Sequence, residues 1–104
     1  MEHILKAIDQ IQSFSEGLDL ESFSSDRRTY SACLYEYTII GEAVVKIDPE
    51  ILAKYDYPWR RVKAFRNFIL HDYEAVDSRM VWYTIKKVLP GLQKIMKTVL
   101  KKEF

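Results

Sequence analysis

Apolar side chains recur through this chain at the three- and four-residue spacing of an α-helix, and that period excludes most other fold classes. Ile4, Leu5, Ile8 and Ile11, followed by Ser15, predict an amphipathic helix over about 2–16, which Gly17 ends. Leu18 to Ser25 reads as a connector, in which Ser24, Ser25 or Asp26 can cap the next helix. Tyr30, Cys33, Leu34, Tyr37, Gly41, Val44 and Val45 mark one face of a long second helix. Gly41 weakens that helix internally, and close approach by another helix or by a ligand is the expected compensation.

Asp48-Pro49-Glu50 opens a short helical turn, since proline suits a first helical position. Tyr55-Asp56-Tyr57-Pro58 is a loop, and Pro58 starts a third helix that turns Trp59, Val62, Phe65, Ile69 and Leu70 toward the core. Asp77 caps a last helix with the stripe Val81, Ile85, Val88, Leu92, Ile95, Met96 and Val99. Pro90-Gly91 lies inside that stripe, which predicts a kink or two helices in sequence, because proline removes a donor and clashes with the preceding turn. No strand signal competes. The expectation is all-α: a small bundle of about four main helices, with short connections favouring antiparallel neighbours.

A length of 104 residues makes one domain spanning 1–104 the natural reading, with a core small enough to gain from subunit association. The opening Met1 to Lys6 mixes charge among apolar positions too early for a signal peptide, and no apolar run reaches the length of a membrane span. A single cysteine, Cys33, allows no internal disulfide and suits a reducing cytoplasm; it lies on an apolar stripe and reads as core. The net charge of +1 hides an asymmetry. Acidic residues dominate up to Asp26; Lys86, Lys87, Lys94, Lys97, Lys101 and Lys102 dominate the end; and Arg60, Arg61, Lys63 and Arg66 cluster between. The terminal lysines fit either a solvated helix end that complements the macrodipole or a nucleic-acid footprint.

The chemistry concentrates in Arg66-Asn67-Phe68-Ile69-Leu70-His71-Asp72-Tyr73. Arginine holds phosphate as a planar fork, histidine exchanges protons near neutrality, and tyrosine can stack, donate or be modified. On an ideal helix Arg66 and Tyr73 share a face about 10 Å apart, while His71 sits about 140° around from Arg66. Arg66 and His71 therefore converge only if the helix ends near His71, or if two copies meet across a dimer. The plain structural alternative has His71 at a helix C-terminus and Arg66 paired with a carboxylate such as Glu42 or Asp72. His71, Asp72, Glu74 and Asp77 form a loose acidic group that lacks the ligands of a metal site, and no Gly-rich phosphate loop is present, so neither metal nor cofactor is expected. Trp59, Trp82 and the tyrosines serve packing first, and one or two can stack RNA bases.

Several pieces occur together in order: Gly17-Leu18-Asp19, Ile39-Ile40-Gly41-Glu42-Ala43, Pro58-Trp59, Phe65-Arg66-Asn67, Ile69-Leu70-His71-Asp72-Tyr73, Val76-Asp77, Val81-Trp82 and Leu89-Pro90. In these the chain resembles, over nearly its whole length, the HepT-like branch of the HEPN superfamily. That family's motif is an arginine, four residues, a histidine, one residue and a tyrosine, matched here by Arg66, His71 and Tyr73. The resemblance implies a four- to five-helix up-and-down bundle that works as a homodimer. It implies a metal-independent ribonuclease toxin, acting on tRNA or mRNA, whose partner is a minimal nucleotidyltransferase antitoxin that silences it by attaching AMP to the motif tyrosine. Carried over, Arg66 and His71 are the catalytic pair and Tyr73 is the modification site; beside them, Asn67 and Asp72 are expected as auxiliary polar groups on chemical grounds.

The chemistry of the residues agrees with that role. Metal-free RNA cleavage needs proton transfer at the 2′-hydroxyl and at the leaving 5′-oxygen, with charge stabilisation on the phosphoryl group. One histidine per chain falls short of an acid and a base, and a symmetric dimer supplies two. Two other function classes remain open from sequence: a non-catalytic helical module that binds a nucleotidyltransferase and presents RNA or nucleotide to it, and a purely structural dimer.

Overall fold

The computed structural model describes residues 2–104, which form helices joined by short connections, without strands among them. Helix α1 (Glu2–Ser15) ends at Gly17, whose φ of +78° is the left-handed conformation that glycine adopts at little cost. Ile4, Ile8 and Ile11 are fully or almost fully buried along one stripe of α1.

The segment expected as a connector holds a helix of its own, α2 (Leu20–Ser25). Asp19 accepts from the Ser22 backbone N–H, and the Ser22 hydroxyl accepts from the Asp19 backbone N–H, a reciprocal cap on an otherwise short helix. Phe23 then fixes it to the core, fully buried beside Trp82, with ring centroids 5.1 Å apart. The Asp19-to-Ser22 spacing gives little signal in the sequence, because only one residue of α2, Phe23, is buried.

Helix α3 (Arg27–Val45) is capped by Asp26, which accepts from the Thr29 backbone N–H. It is the central helix and packs against both α1 and α5. Tyr30, Cys33, Leu34, Tyr37, Gly41 and Val44 are buried as expected, joined by Ile40 and Ala43; Val45, expected inside, is 48% exposed at the helix end. After α4 (Pro49–Leu52), capped by Asp48, the loop leads to α5 (Trp59–His71). The Trp59 indole N–H donates to the Leu52 carbonyl at 3.1 Å and fixes the loop. Trp59, Val62 and Ile69 are buried and Phe65 is partly so, but Leu70 is 47% exposed rather than inside.

A short 3₁₀ turn (Tyr73–Ala75) leads to α6 (Ser78–Tyr83), capped by Asp77, which accepts from the Met80 N–H. The break expected at Pro90-Gly91 lies upstream. A π turn (Thr84–Val88), closed by the Leu89 N–H on the Thr84 carbonyl, joins α6 to α7 (Leu89–Glu103). In a regular helix residue 90 would donate to residue 86; the wider turn makes room for a proline that has nothing to donate. Leu89, Leu92, Met96 and Val99 are fully buried on α7, which rests on α1. The Gln93 amide donates to Asp9, while the Tyr55 hydroxyl donates to Glu103 at 2.7 Å and Lys54 pairs with the same carboxylate, so the C-terminal turn is tied at several points.

Candidate active site

The exposed end of α5 carries the motif because the helix stops there. Its last hydrogen bond runs from the Asp72 N–H to the Phe68 carbonyl, and Asp72 itself has left helical geometry at φ −138° and ψ 41°. Arg66, Asn67 and His71 thus belong to α5, whereas Asp72 is its exit and Tyr73 starts the 3₁₀ turn. The common face expected for Arg66 and Tyr73 on one helix does not form, since the helix ends two residues too early.

Arg66 lies where α5 crosses α3. A β-carbon at Gly41 would collide with Cβ and Cγ of Arg66, so the absence of a side chain at 41 is what admits the arginine stem. Its guanidinium then reaches outward. Nη1 donates to the Asn67 side-chain oxygen at 2.7 Å, and Nη2 stands 3.6 Å from a Glu42 oxygen. Nε is buried and has no hydrogen-bond partner among the described residues. A guanidinium offers five N–H donors, so this one retains capacity for an anion. Glu42 is half exposed, so its attraction for Arg66 is weakened by solvent.

His71, Asp72 and Tyr73 are exposed. Among the described residues no hydrogen bond or ion pair links His71 to Arg66. Five helical residues separate them, about 7.5 Å along the axis. One copy of the chain therefore presents the arginine and the histidine as neighbouring but separate groups. Tyr73 lies within electrostatic reach of Tyr30 at the other end of α3: burial first, and then the Tyr73 phenol, pushes the Tyr30 hydroxyl up. Tyr30 donates to the Val76 carbonyl at 3.2 Å and so fixes the segment that follows the motif. Between Tyr30 and Gly41 lie eleven steps of α3, about 16 Å, which separates the surroundings of Tyr73 from those of Arg66.

Other candidates resolve simply. Cys33 is buried, and burial, aided by Glu36 and Asp26, pushes its thiol up to about 12, so it is inert packing rather than a nucleophile. Asp77 is engaged as a helix cap. No group of three or more His, Cys, Asp or Glu side chains is arranged to hold a metal ion among the described residues. None of their helices is long and apolar enough to cross a membrane.

Comparison with known proteins decides the family. The model of the family described as Ribonuclease HepT-like matches residues 4–99. The chain belongs to the HepT-like ribonuclease family. A protein of Caldanaerobacter subterraneus subsp. tengcongensis, whose name assigns RNase activity provisionally, is 34% identical over 104 residues, covering 99% of this chain and 93% of that one. The probable ribonuclease HepT of Thermococcus cleftensis is 33% identical over 94 residues, covering 89% and 86%. A Methanocaldococcus jannaschii protein, again with a provisional RNase name, is 32% identical over 99 residues, covering 94% and 85%. No solved structure matches. The HepT-like assignment agrees with the all-α bundle and places the chain in the endoribonuclease class of enzymes.

Proposed function

We propose that this HepT-like chain is the toxin of a toxin–antitoxin pair: a cytoplasmic, metal-independent endoribonuclease that cleaves tRNA or mRNA as a homodimer and uses no cofactor. In this reading the 104 residues act as one domain. Arg66 and His71 are the catalytic groups, Asn67 holds the guanidinium in place, and Asp72 is a polar neighbour of the histidine. Tyr73 is the site where a minimal nucleotidyltransferase antitoxin attaches AMP.

The observation that carries the reading is the Arg66 guanidinium. It is held over a side-chain-free crossing at Gly41 and oriented by Asn67, and its outward Nη1 and Nη2 keep N–H donors beyond those facing Asn67 and Glu42. Such a fork fits a phosphoryl group that gains charge in the transition state. The 2′-hydroxyl of RNA attacks its own phosphorus while one His71 imidazole takes the proton. The bond from phosphorus to the 5′-oxygen breaks, and that oxygen takes a proton from a second, protonated His71, which leaves a 2′,3′-cyclic phosphate. The requirement for two histidines supports a dimer. So does the surface: Val45 and Leu70, 48% and 47% exposed, follow Glu42 and Arg66 by one helical turn each, and Tyr35 is 67% exposed two turns before Glu42. A second copy seated on this face would cover apolar surface beside Arg66 and bring the motifs of both copies together.

AMP on Tyr73 adds bulk and negative charge near the exit of α5, closer to His71 than to Arg66, and would repel an incoming RNA phosphate. Purified protein incubated with labelled RNA and a chelator tests the catalytic part. We expect products ending in cyclic phosphate from the parent and none from His71→Ala, whose fold is retained because His71 is exposed. Full cleavage by His71→Ala would remove the histidine from the mechanism. Co-expression with the neighbouring nucleotidyltransferase, followed by mass spectrometry, tests the switch: an adenylate mass on the Tyr73 peptide is expected, and its absence counts against it.

A further inference from the structure

Helix α5 and the π turn do not close on one another. Between them lies a cleft of about 450 Å³ whose lining includes Tyr37, Tyr57, Arg61, Phe65, Tyr83 and Lys87. It is separate from the face that carries Arg66, since Phe65 and Arg66 are consecutive and point about 100° apart. Its lining chemistry is one-sided: it contains two cations and three phenols, and no carboxylate. A charged wall without counter-charge, beside the exposed ring of Tyr83, suits an anion that carries a planar group.

Two side chains sharpen this. Tyr37 is 4% exposed at the floor; burial pushes its phenol far up, and its hydroxyl makes no hydrogen bond among the described residues. The residue is buried but its hydroxyl oxygen is not sealed off, so it opens into the cleft and is available to hydrogen-bond a ligand. Tyr83 is 62% exposed and stacks on no ring among the described residues, which leaves a face free at the rim. The cleft also continues. A second, shallower hollow of about 410 Å³ shares Tyr57, Pro58 and Arg61 with it and adds Arg60. A single nucleotide would fill one compartment; a groove with two, each with a cation, suits a chain.

We propose that this groove is a nucleotide-binding subsite for the RNA chain, remote from the Arg66 and His71 chemistry. A base stacks against Tyr83 and hydrogen-bonds the Tyr37 hydroxyl, while Arg61 and Lys87 hold the flanking phosphates. The identity of the polymer rests on the ribonuclease reading; the chemistry of the groove does not. The subsite selects for RNA long enough to reach from the groove to the end of α5. Arg61 and His71 are ten residues apart on that helix, about 15 Å along its axis.

The test measures binding of a fluorescent single-stranded RNA oligonucleotide to full-length protein carrying His71→Ala, which prevents turnover. Tyr83→Ala and the pair Arg61→Glu with Lys87→Glu alter exposed side chains and leave the core intact. Lys101→Glu with Lys102→Glu, in the last turn of α7, makes the same change in net charge elsewhere. We expect Tyr83→Ala to weaken binding about tenfold and the groove charge pair to do so at least as much. The groove pair should also flatten the salt dependence by about two phosphate contacts, while the tail pair leaves that slope nearly unchanged. Tyr37→Phe should weaken binding several-fold and leave the melting temperature nearly unchanged, since the hydroxyl makes no hydrogen bond among the described residues. Equal effects of groove and tail pairs, or none from Tyr83→Ala, would overturn the subsite. So would AMP that occupies the groove without displacing the oligonucleotide. Cleavage by the otherwise unaltered protein is scored separately. If the oligonucleotide binds the groove and nothing is cleaved, the catalytic reading fails and the subsite stands; if cleavage and its KM are normal in groove variants, the reverse holds.

Discussion

The stem of Arg66 occupies the space that a β-carbon on Gly41 would need. Two helices are thereby drawn together at the point where the guanidinium leaves the core, so the position of a proposed catalytic group depends on the absence of a side chain on a different helix. Gly41→Ala must separate α3 from α5, because the nearest clash is with the Arg66 β-carbon, which no rotamer change can move. We expect a loss of about 1–3 kcal/mol in stability, read from urea unfolding, together with a fall in RNA cleavage larger than the stability loss explains. A variant as stable and as active as the parent would show that the crossing relaxes freely.

Arg66→Lys keeps the charge and removes the fork. The ammonium is a point charge and cannot hold Asn67 and a phosphoryl group in one plane. Cleavage should fall about a hundredfold, mostly in kcat. Glu42→Gln is the contrasting change. The pair it breaks is long at 3.6 Å and half solvated on the Glu42 side, so stability should move by less than about 1 kcal/mol and cleavage should persist. Loss of cleavage in Glu42→Gln would make Glu42 part of the chemistry rather than a resting partner of Arg66.

Acid should loosen the α2–α3 corner. The Asp19 carboxyl is held below its ordinary 3.8 by hydrogen bonds from Ser22, and Asp26 by those from Thr29. For both groups the folded pKa is the lower one. Their stabilising contribution is therefore present above the unfolded value and lost as pH falls through the folded value. The urea midpoint should drop below about pH 4, and the drop should be smaller in Asp19→Asn with Asp26→Asn, because asparagine caps helices without titrating. An identical acid profile in that variant would assign the loss to other carboxylates.

Cys33 should be silent until the bundle opens. With its thiol pushed up to about 12 by burial, it carries almost no thiolate at pH 8, and it is 1% exposed. Labelling by a thiol reagent should be slow in the native protein and accelerate with added urea in step with unfolding. Fast labelling of native protein would mean that α3 opens locally.

The local grammar of the chain is largely legible. Gly17, Asp26, Asp48 and Asp77 mark helix ends where the backbone places them, because caps and left-handed stops are decided within a few residues. The interior glycine at 41 signalled a close approach, although only the fold identified Arg66 as what approaches. Helix α2 was obscured, since a six-residue helix with one buried ring has no period to detect. The proline at 90 announced a disturbance, but its relief lies upstream at Thr84–Val88, where the helix could widen without exposing Leu89.

By itself the sequence determined that the chain is helical, where several of its helices begin or stop, and that arginine, histidine and tyrosine occur at the spacing of the HepT-like motif. The tertiary structure decided which of these groups share surroundings: Arg66 with Gly41, Asn67 and Glu42, His71 at the open end of α5, and Tyr73 within reach of Tyr30. It also assembled the tyrosine-lined groove from α3, the start of α5 and the π turn. The physical reason is range. Capping and periodicity act within one or two helical turns, whereas proximity between residues 41 and 66, or 37 and 83, exists only after distant segments have buried their apolar faces against each other.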